Sequence, residues 1–289
     1  MDAELIRIGT REFLRRRARG EVTIPPELLT EYVTHIDKRI AKPPRSRDFT
    51  MRMSNLGRPT CQLQMDKANA PAQIVNDYQR EYTFMMGDVS EIWLIMIMKA
   101  AGIPVDSYDV PVKVQLANQT ISGTLDIIID GIVYDIKTIS SASFQKYTGF
   151  GGFSSFLDDD PFGYIEQGVL YSEGSGKPFG GWILINKNTG DIDVCEVPAN
   201  FDQHRDAAIA RAEETVRTLM DNRPFQRKFT DEEELFRKKP TGNRVLGKTC
   251  GYCDYTAHCW PDARHIPSLA SEAKDKKHVW YTHTVTSEV

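Results

Sequence analysis

The segment ISGTLDIIIDGIVYDIKTI, residues 121–139, constrains this chain more than any other, because two runs of β-branched residues flank an Asp-Gly pair. Asp130-Gly131 supplies the positive-φ residues that a tight hairpin turn needs, so residues 121–129 and 132–138 are predicted to form a β-hairpin. A two-residue turn fixes the register. Ile129 pairs with Ile132, and counting back along both strands Asp126 comes to face Asp135. Strand alternation puts Lys137 on the face of Asp135, with Thr124 opposite it, while Ile127, Tyr134 and Ile136 point the other way.

Directly opposed residues on an antiparallel pair have Cβ atoms about 5 Å apart, and two like charges there destabilise the sheet. A divalent cation between the carboxylates offsets that cost, and hard oxygen ligands suit Mg²⁺ or Mn²⁺. The competing reading is a solvent-facing edge hairpin on which screened charges coexist. Isoleucines flanking the two acids favour the centre of a sheet.

A further strand is predicted at residues 112–116, before Asn118-Gln119. Residues 71–101 read as helical up to the stop signal of Gly102 and Pro104, and residues 91–99 are apolar on nearly every side, as in a helix buried against a sheet. Residues 140–160, rich in Gly, Ser and Asp, read as a long mobile loop. Then follow a helix at 161–172, a hairpin at 181–185 and 192–197 around Asn188-Thr189-Gly190, and an amphipathic helix at 201–221. This alternation predicts an α/β fold with a mixed central sheet flanked by helices. Residues 1–60, broken at Pro25-Pro26 and Pro43-Pro44, read as a helical arm or cap. Residues 61–262 form the expected core, and 263–289 a polar, loosely ordered tail.

The composition, 40% hydrophobic and 26% charged over 289 residues, is that of a soluble globular protein. The longest apolar run, residues 92–98, falls short of the roughly 20 residues of a membrane span, and the amino terminus lacks a signal-peptide h-region. The expectation is a cytoplasmic protein with no membrane partner. A net charge of -4 and a pI of about 5.9 announce no nucleic-acid binder. Such a role must rest on local basic patches: Arg15, Arg16, Arg17 and Arg19, then residues 38–47, then Arg237, Lys238 and Lys239.

Five cysteines in a reducing compartment argue against a disulfide framework. Cys250-x-x-Cys253-x(5)-Cys259 is a dense thiolate cluster in a turn-rich segment and reads as a metal site. Cys61 is the candidate fourth ligand. A Zn²⁺ site of four cysteines, or of three with His258, stays open. Cys195, on a predicted strand, reads as a buried apolar filler.

Gly123-x-x-Asp126 followed by Asp135-Ile136-Lys137 resembles the core of the PD-(D/E)XK nuclease superfamily, with Gly-Thr-Leu before Asp126 where the family name implies proline. That variation is common in the RecB-like branch. The resemblance implies a restriction-endonuclease-like core in which Asp126, Asp135 and the carbonyl of Ile136 ligate Mg²⁺ or Mn²⁺. Lys137 would orient or deprotonate the attacking water and stabilise the developing charge. Gln167-x-x-x-Tyr171, on one helix face by its i,i+4 spacing, matches a motif of the same branch. Gly87-x-x-Ser90-Glu91 stands where these nucleases often carry a histidine followed by glutamate. Glu91 is thereby implied to extend the metal site, and Ser90, in the histidine position, implies cleavage supported by Mn²⁺ better than by Mg²⁺. A helix-capping serine is the alternative there.

One cysteine before the core and three after it is the layout of the AddB and CRISPR-associated Cas-four nuclease groups. It implies a 4Fe-4S cluster on Cys61, Cys250, Cys253 and Cys259. The resemblance spans Cys61 to Trp260. It implies a deoxyribonuclease, exonuclease ahead of endonuclease, acting on single-stranded DNA or DNA ends in recombination, repair, phage DNA processing or CRISPR adaptation. Recombination, replication or CRISPR adaptation proteins are the implied partners, an oligomer is open, and the compartment is the host cytoplasm if the chain is phage-encoded. The alternatives are a nuclease-fold DNA- or protein-binding module of weak catalysis and a zinc-stabilised scaffold.

Overall fold

The computed structural model describes residues 3–41, 48–72, 77–149, 151–158 and 160–285. They fall into two compact units, one drawn from residues 1–46, 51–57 and 76–217, the other from 47–50, 58–75 and 218–289. Residues 42–47 of the second basic run lie outside the described residues, as do 150 and 159 of the expected loop and 286–289 of the expected tail.

The first unit is a five-stranded mixed sheet flanked by helices. Its strands, in the spatial order of their numbers, are β1 (Val105–Leu116), β2 (Gln119–Ile129), β3 (Ile132–Ile139), β4 (Phe179–Asn186) and β5 (Ile192–Glu196). β3 and β4 run parallel and the other pairs antiparallel. Asp130 and Gly131 take φ of 48° and 75°, so the predicted two-residue turn forms and Ile129 pairs with Ile132.

The helices are α1 (Ala3–Ala18), α2 (Pro26–Ile40), α3 (Met53–Leu56), α5 (Asp77–Ala100), α6 (Ser141–Thr148), α7 (Ser154–Asp158), α8 (Tyr164–Ser175) and α9 (Asp202–Met220); α4 (Thr60–Lys67) lies in the second unit. On one side Ile6 of α1 and Leu94, Ile95 and Met98 of α5 pack with Ile127, Ile129, Tyr134, Ile136 and Ile183. On the other, Leu125, Ile128, Val133, Trp182 and Leu184 meet Phe144, Tyr147, Phe156, Val169, Leu170 and Val216. Burying each such side chain stabilises the fold by about 1.5–3 kcal/mol.

Two expectations need correction in this unit. The amino-terminal helices are part of its packing, since Ala3 and Ile6 are buried in the core under β2 and β3, and Phe13 packs with Met96 and Ile97 of α5. Their polar faces hid these apolar positions. The segment 140–160 is mostly helical: Ser140 caps α6 by accepting the Ser143 N–H at 3.3 Å, and Tyr147 stacks on Phe156 at 4.0 Å. Its Gly and Ser content masked aromatic anchors that hold both short helices against the sheet. Gly163, at φ 73°, precedes α8 and touches the Gly57 backbone so closely that a Cβ there would stand 2.2 Å from the Gly57 carbonyl carbon.

The second unit carries a four-stranded antiparallel sheet in the order β6-β7-β9-β8, formed by β6 (Asp231–Phe236), β7 (Lys239–Leu246), β8 (Arg264–Pro267) and β9 (His278–His283). Two short helices, α10 (Lys248–Gly251) and α11 (Thr256–Cys259), lie between β7 and β8. Buried Glu234 organises this sheet by accepting from Asn243 Nδ2 at 2.8 Å, from Thr241 Oγ1 at 2.9 Å and from the Tyr281 hydroxyl. The region read as a loose tail therefore supplies β8 and β9, because Trp280 and Tyr281 bury their rings there. Arg237 and Lys238 of the third basic patch occupy the β6–β7 turn at φ 52° and 66°. Among the described residues no helix is long and apolar enough to cross a membrane.

Candidate active site

The site lies where the β1–β2 ribbon changes the core it feeds. Tyr108 and Ile127, a cross-strand pair, pack with α5, whereas the next pair, Val110 and Leu125, packs on the opposite side of the sheet. Asp109 makes this change at φ 52°, a left-handed conformation that costs a non-glycine residue energy. Asp126 stands at the same level of β2.

Here β2 also parts from β3. Their ladder runs from Ile129–Ile132 to Ile127–Tyr134 and stops, while β3 pairs with β4 from Val133 to Ile139. Asp126 and Asp135 therefore do not form the ladder pair that the hairpin register predicts. Instead Asp126 Oδ2 accepts the N–H of Ile136 at 2.7 Å, a carboxylate taking the place of a strand carbonyl. The acids remain close, and burial first, then the Asp126 charge, lift the Asp135 carboxyl above the usual carboxylate range against the pull of Lys137.

Asp135 has no solvent exposure. Lys137 Nζ donates to its Oδ1 at 2.8 Å and stands 2.7 Å from Oδ2, so both oxygens of the buried carboxylate face the ammonium. Burial alone would lower the lysine's affinity for its proton, but the charges of Asp135 and Asp126 outweigh it and raise Lys137 above its ordinary value. Lys137 is thus held as a cation, with the ring of Tyr164 5.1 Å from its Nζ. It can orient a water and neutralise charge; it is poorly suited to take a proton.

Both members of the Gln-x-x-x-Tyr pair are buried on α8, with Gln167 Nε2 donating to the Tyr171 hydroxyl at 2.9 Å. The i,i+4 spacing places them together as predicted. Burial and then the charges of Asp126 and Asp135 raise the Tyr171 phenol.

Glu91 projects from the middle of α5. Its carboxyl is raised by burial and by the charge of Asp126, while Arg39 Nη2 donates to its Oε1 at 2.8 Å. Ser90 lies far inside the same helix and donates Oγ to the Met86 carbonyl at 2.6 Å. The capping alternative falls, because α5 is already helical from Asp77, well before Ser90.

Sequence reasoning missed Arg39, Asp88, Asp109 and Tyr164 as members of this site. Arg39 carried a weak signal as part of the second basic run. Asp109 carried another, as an acid, with Asp106, in the strand segment that precedes the hairpin.

The donor chemistry suits a hard divalent cation: the buried carboxylate of Asp135, a second carboxylate on Asp126 and, within reach of the Asp126 charge, Glu91. As they stand, no three His, Cys, Asp or Glu side chains among the described residues are gathered tightly enough to hold one metal ion. Two cations are paired with acids of this site, Lys137 with Asp135 and Arg39 with Glu91.

In the second unit Cys61 sits in the first turn of α4. That helix is tied to the carboxyl-terminal segment by the Tyr255 hydroxyl donating to Asp66, by Gln64 Nε2 to the Arg223 carbonyl at 2.9 Å and by Lys67 Nζ to Asn222 Oδ1 at 2.8 Å. Burial and the charges of Cys253, Cys61 and Cys259 push the Cys250 thiol up to about 11. The Cys61 and Cys253 thiols are raised as well, by burial first and also by Cys259. The four cysteines thus lie within range of one another's charge. His258 is exposed and Cys195 is buried in the first unit's core, where burial lifts it to about 12.

No family model matches the chain, and no curated protein matches it. Among solved structures it is similar to the protein described as SSO0001, at 14% identity and a TM-score of 0.42, over 80% of this chain and 96% of that one. It is also similar to a protein from Eubacterium rectale described as "Putative exonuclease", at 14% identity and a TM-score of 0.31, over 74% of this chain and 82% of that one.

Proposed function

We propose that the first unit is a Mg²⁺- or Mn²⁺-dependent nuclease that hydrolyses DNA phosphodiesters, with single strands or strand ends as its substrate. The observation that carries this reading is the meeting of Asp126, Asp135 and Lys137 at the point where β2 and β3 part, with the Asp135 carboxylate wholly buried and ion-paired to Lys137. Asp126, Asp135 and the carbonyl of Ile136 would hold the ion. When bound, it supplies Lewis-acid polarisation of the phosphate and a water of lowered pKa. The cationic Lys137 orients that water and neutralises charge developing on the phosphate oxygens. The acids alone would repel a polyanion, so substrate binding and cleavage both depend on the ion.

The second unit, in this reading, holds a 4Fe-4S cluster on Cys61, Cys250, Cys253 and Cys259. Supporting it are the Cys250-x-x-Cys253-x(5)-Cys259 spacing, the place of Cys61 in the same unit, and a Cys250 thiol raised in part by the charges of the other three cysteines. The cluster would tie α4 to the carboxyl-terminal segment and contribute folding energy.

The test is cleavage of end-labelled single- and double-stranded DNA by protein stripped of divalent ions and then resupplied. Activity restored by Mn²⁺ or Mg²⁺ supports the reading. Protein that binds Mn²⁺ at the acids but cleaves no DNA or RNA contradicts it.

A further inference from the structure

Outside the Asp126–Asp135 pair, one guanidinium gathers three carboxylates from two elements. Arg39 Nη1 donates to Asp88 Oδ1 at 2.9 Å, and Nη2 donates to Glu91 Oε1 at 2.8 Å and also to Asp109 Oδ1. Asp88 and Glu91 come from α5, Asp109 from β1, and Arg39 itself from the end of α2. The side chains of Arg39 and Glu91 are 15% and 13% exposed, while Asp109 at 29% and Asp88 at 47% open the cluster toward solvent.

It is also continuous with the proposed catalytic pair. Asp109 lies at the level of Asp126 between the pairs Tyr108–Ile127 and Val110–Leu125, and the Asp126 charge reaches Glu91. Two side-chain cations, Arg39 and Lys137, are ion-paired with Asp88, Glu91, Asp109 and Asp135. With Asp126 the site holds five carboxylates. One divalent ion at the inner pair brings the site close to balance. Three outer carboxylates without Arg39 would instead form a second hard-oxygen donor set.

Resting on the proposed nuclease reading, we infer that Arg39 is a positioning residue that serves as the permanent cation of the outer carboxylates. It keeps Glu91 as its own partner and limits the site to one divalent ion. An arginine fits this role better than a lysine. Its planar fork bridges several carboxylates at once, and it does not lose its proton. The docking of α2 does not depend on it, because Lys99 Nζ reaches both oxygens of Glu31 at 2.6 and 2.7 Å, and the Tyr108 hydroxyl joins the same carboxylate and stands 2.9 Å from His35 Nε2.

The test is the number of Mn²⁺ ions bound per full-length chain, from electron paramagnetic resonance of the free ion during titration. Wild-type protein is expected to bind one ion and Arg39→Gln two, with circular dichroism showing the variant folded. Wild-type protein that binds two ions overturns the inference while leaving the nuclease reading intact, and this count requires no variant to fold. A folded Arg39→Gln protein that still binds one ion also overturns it. Wild-type protein that binds none overturns the nuclease reading and this inference with it.

Discussion

Lowering the pH from about 8 to about 6 should weaken Mn²⁺ binding, because the ion has to displace a proton from Asp135. That carboxyl is wholly buried beside Asp126, and both facts lift it above the ordinary value of about 4. In the metal-free fold the proton is therefore held more tightly than in the unfolded chain. The contribution of Asp135 to metal-free stability is full at acid pH, below the unfolded value, and is lost as pH rises through the raised folded value. Metal binding runs the opposite way, since only the ionised carboxylate ligates. One displaced proton changes the apparent affinity by up to tenfold, about 1.4 kcal/mol, for each pH unit below the folded value. An unshifted aspartate, fully ionised throughout this window, would give no change. Isothermal titration calorimetry in buffers of different ionisation enthalpy reads both the Kd and the protons released. A Kd that stays flat from about pH 6 to about pH 8, with no proton release, would refute the reasoning.

Lys137→Gln should lower DNA cleavage by about a hundredfold or more while Mn²⁺ still binds, as expected for loss of a positioned charge; unchanged rates would remove the lysine from the mechanism. Cys61→Ala protein, purified without oxygen, should lose its iron and much of its solubility, checked by metal analysis; full iron content, or stoichiometric zinc in the wild type, contradicts the proposed cluster. Gly163→Ala should cost about 3 kcal/mol in urea unfolding, because its φ of 73° and its contact with Gly57 leave no room for a Cβ; a cost below about 1 kcal/mol would contradict that close approach. Ser90→Ala should stay within about 0.5 kcal/mol of wild type, since the hydroxyl bonds only the Met86 carbonyl among the contacts described.

The hairpin was legible because a turn signal, β-branched runs and a two-residue period all agree at Asp130-Gly131. Its exact end was not. Where β3 turns to pair with β4, the ladder to β2 is lost, and a hairpin register carries no information about a strand that is distant in sequence. The pairing of Gln167 with Tyr171 followed from helical spacing alone, whereas the meeting of Arg39 with Glu91 joins α2 to α5 and has no local signal. The helices α6 and α7 were hidden for a different reason. Gly and Ser dominate that segment, and Phe144, Tyr147 and Phe156 gain their helix from burial against the sheet rather than from propensity. In the same way β8 and β9 sit in a polar stretch whose Trp280 and Tyr281 find a buried partner only in the folded sheet.

The most direct measurement compares wild-type protein with Asp135→Asn, both purified without oxygen, on end-labelled single-stranded DNA with Mn²⁺ present or chelated. The account predicts cleavage by the wild type with Mn²⁺, none after chelation, and none by Asp135→Asn, although the variant unfolds as cooperatively as the wild type. Equal cleavage by Asp135→Asn would contradict it.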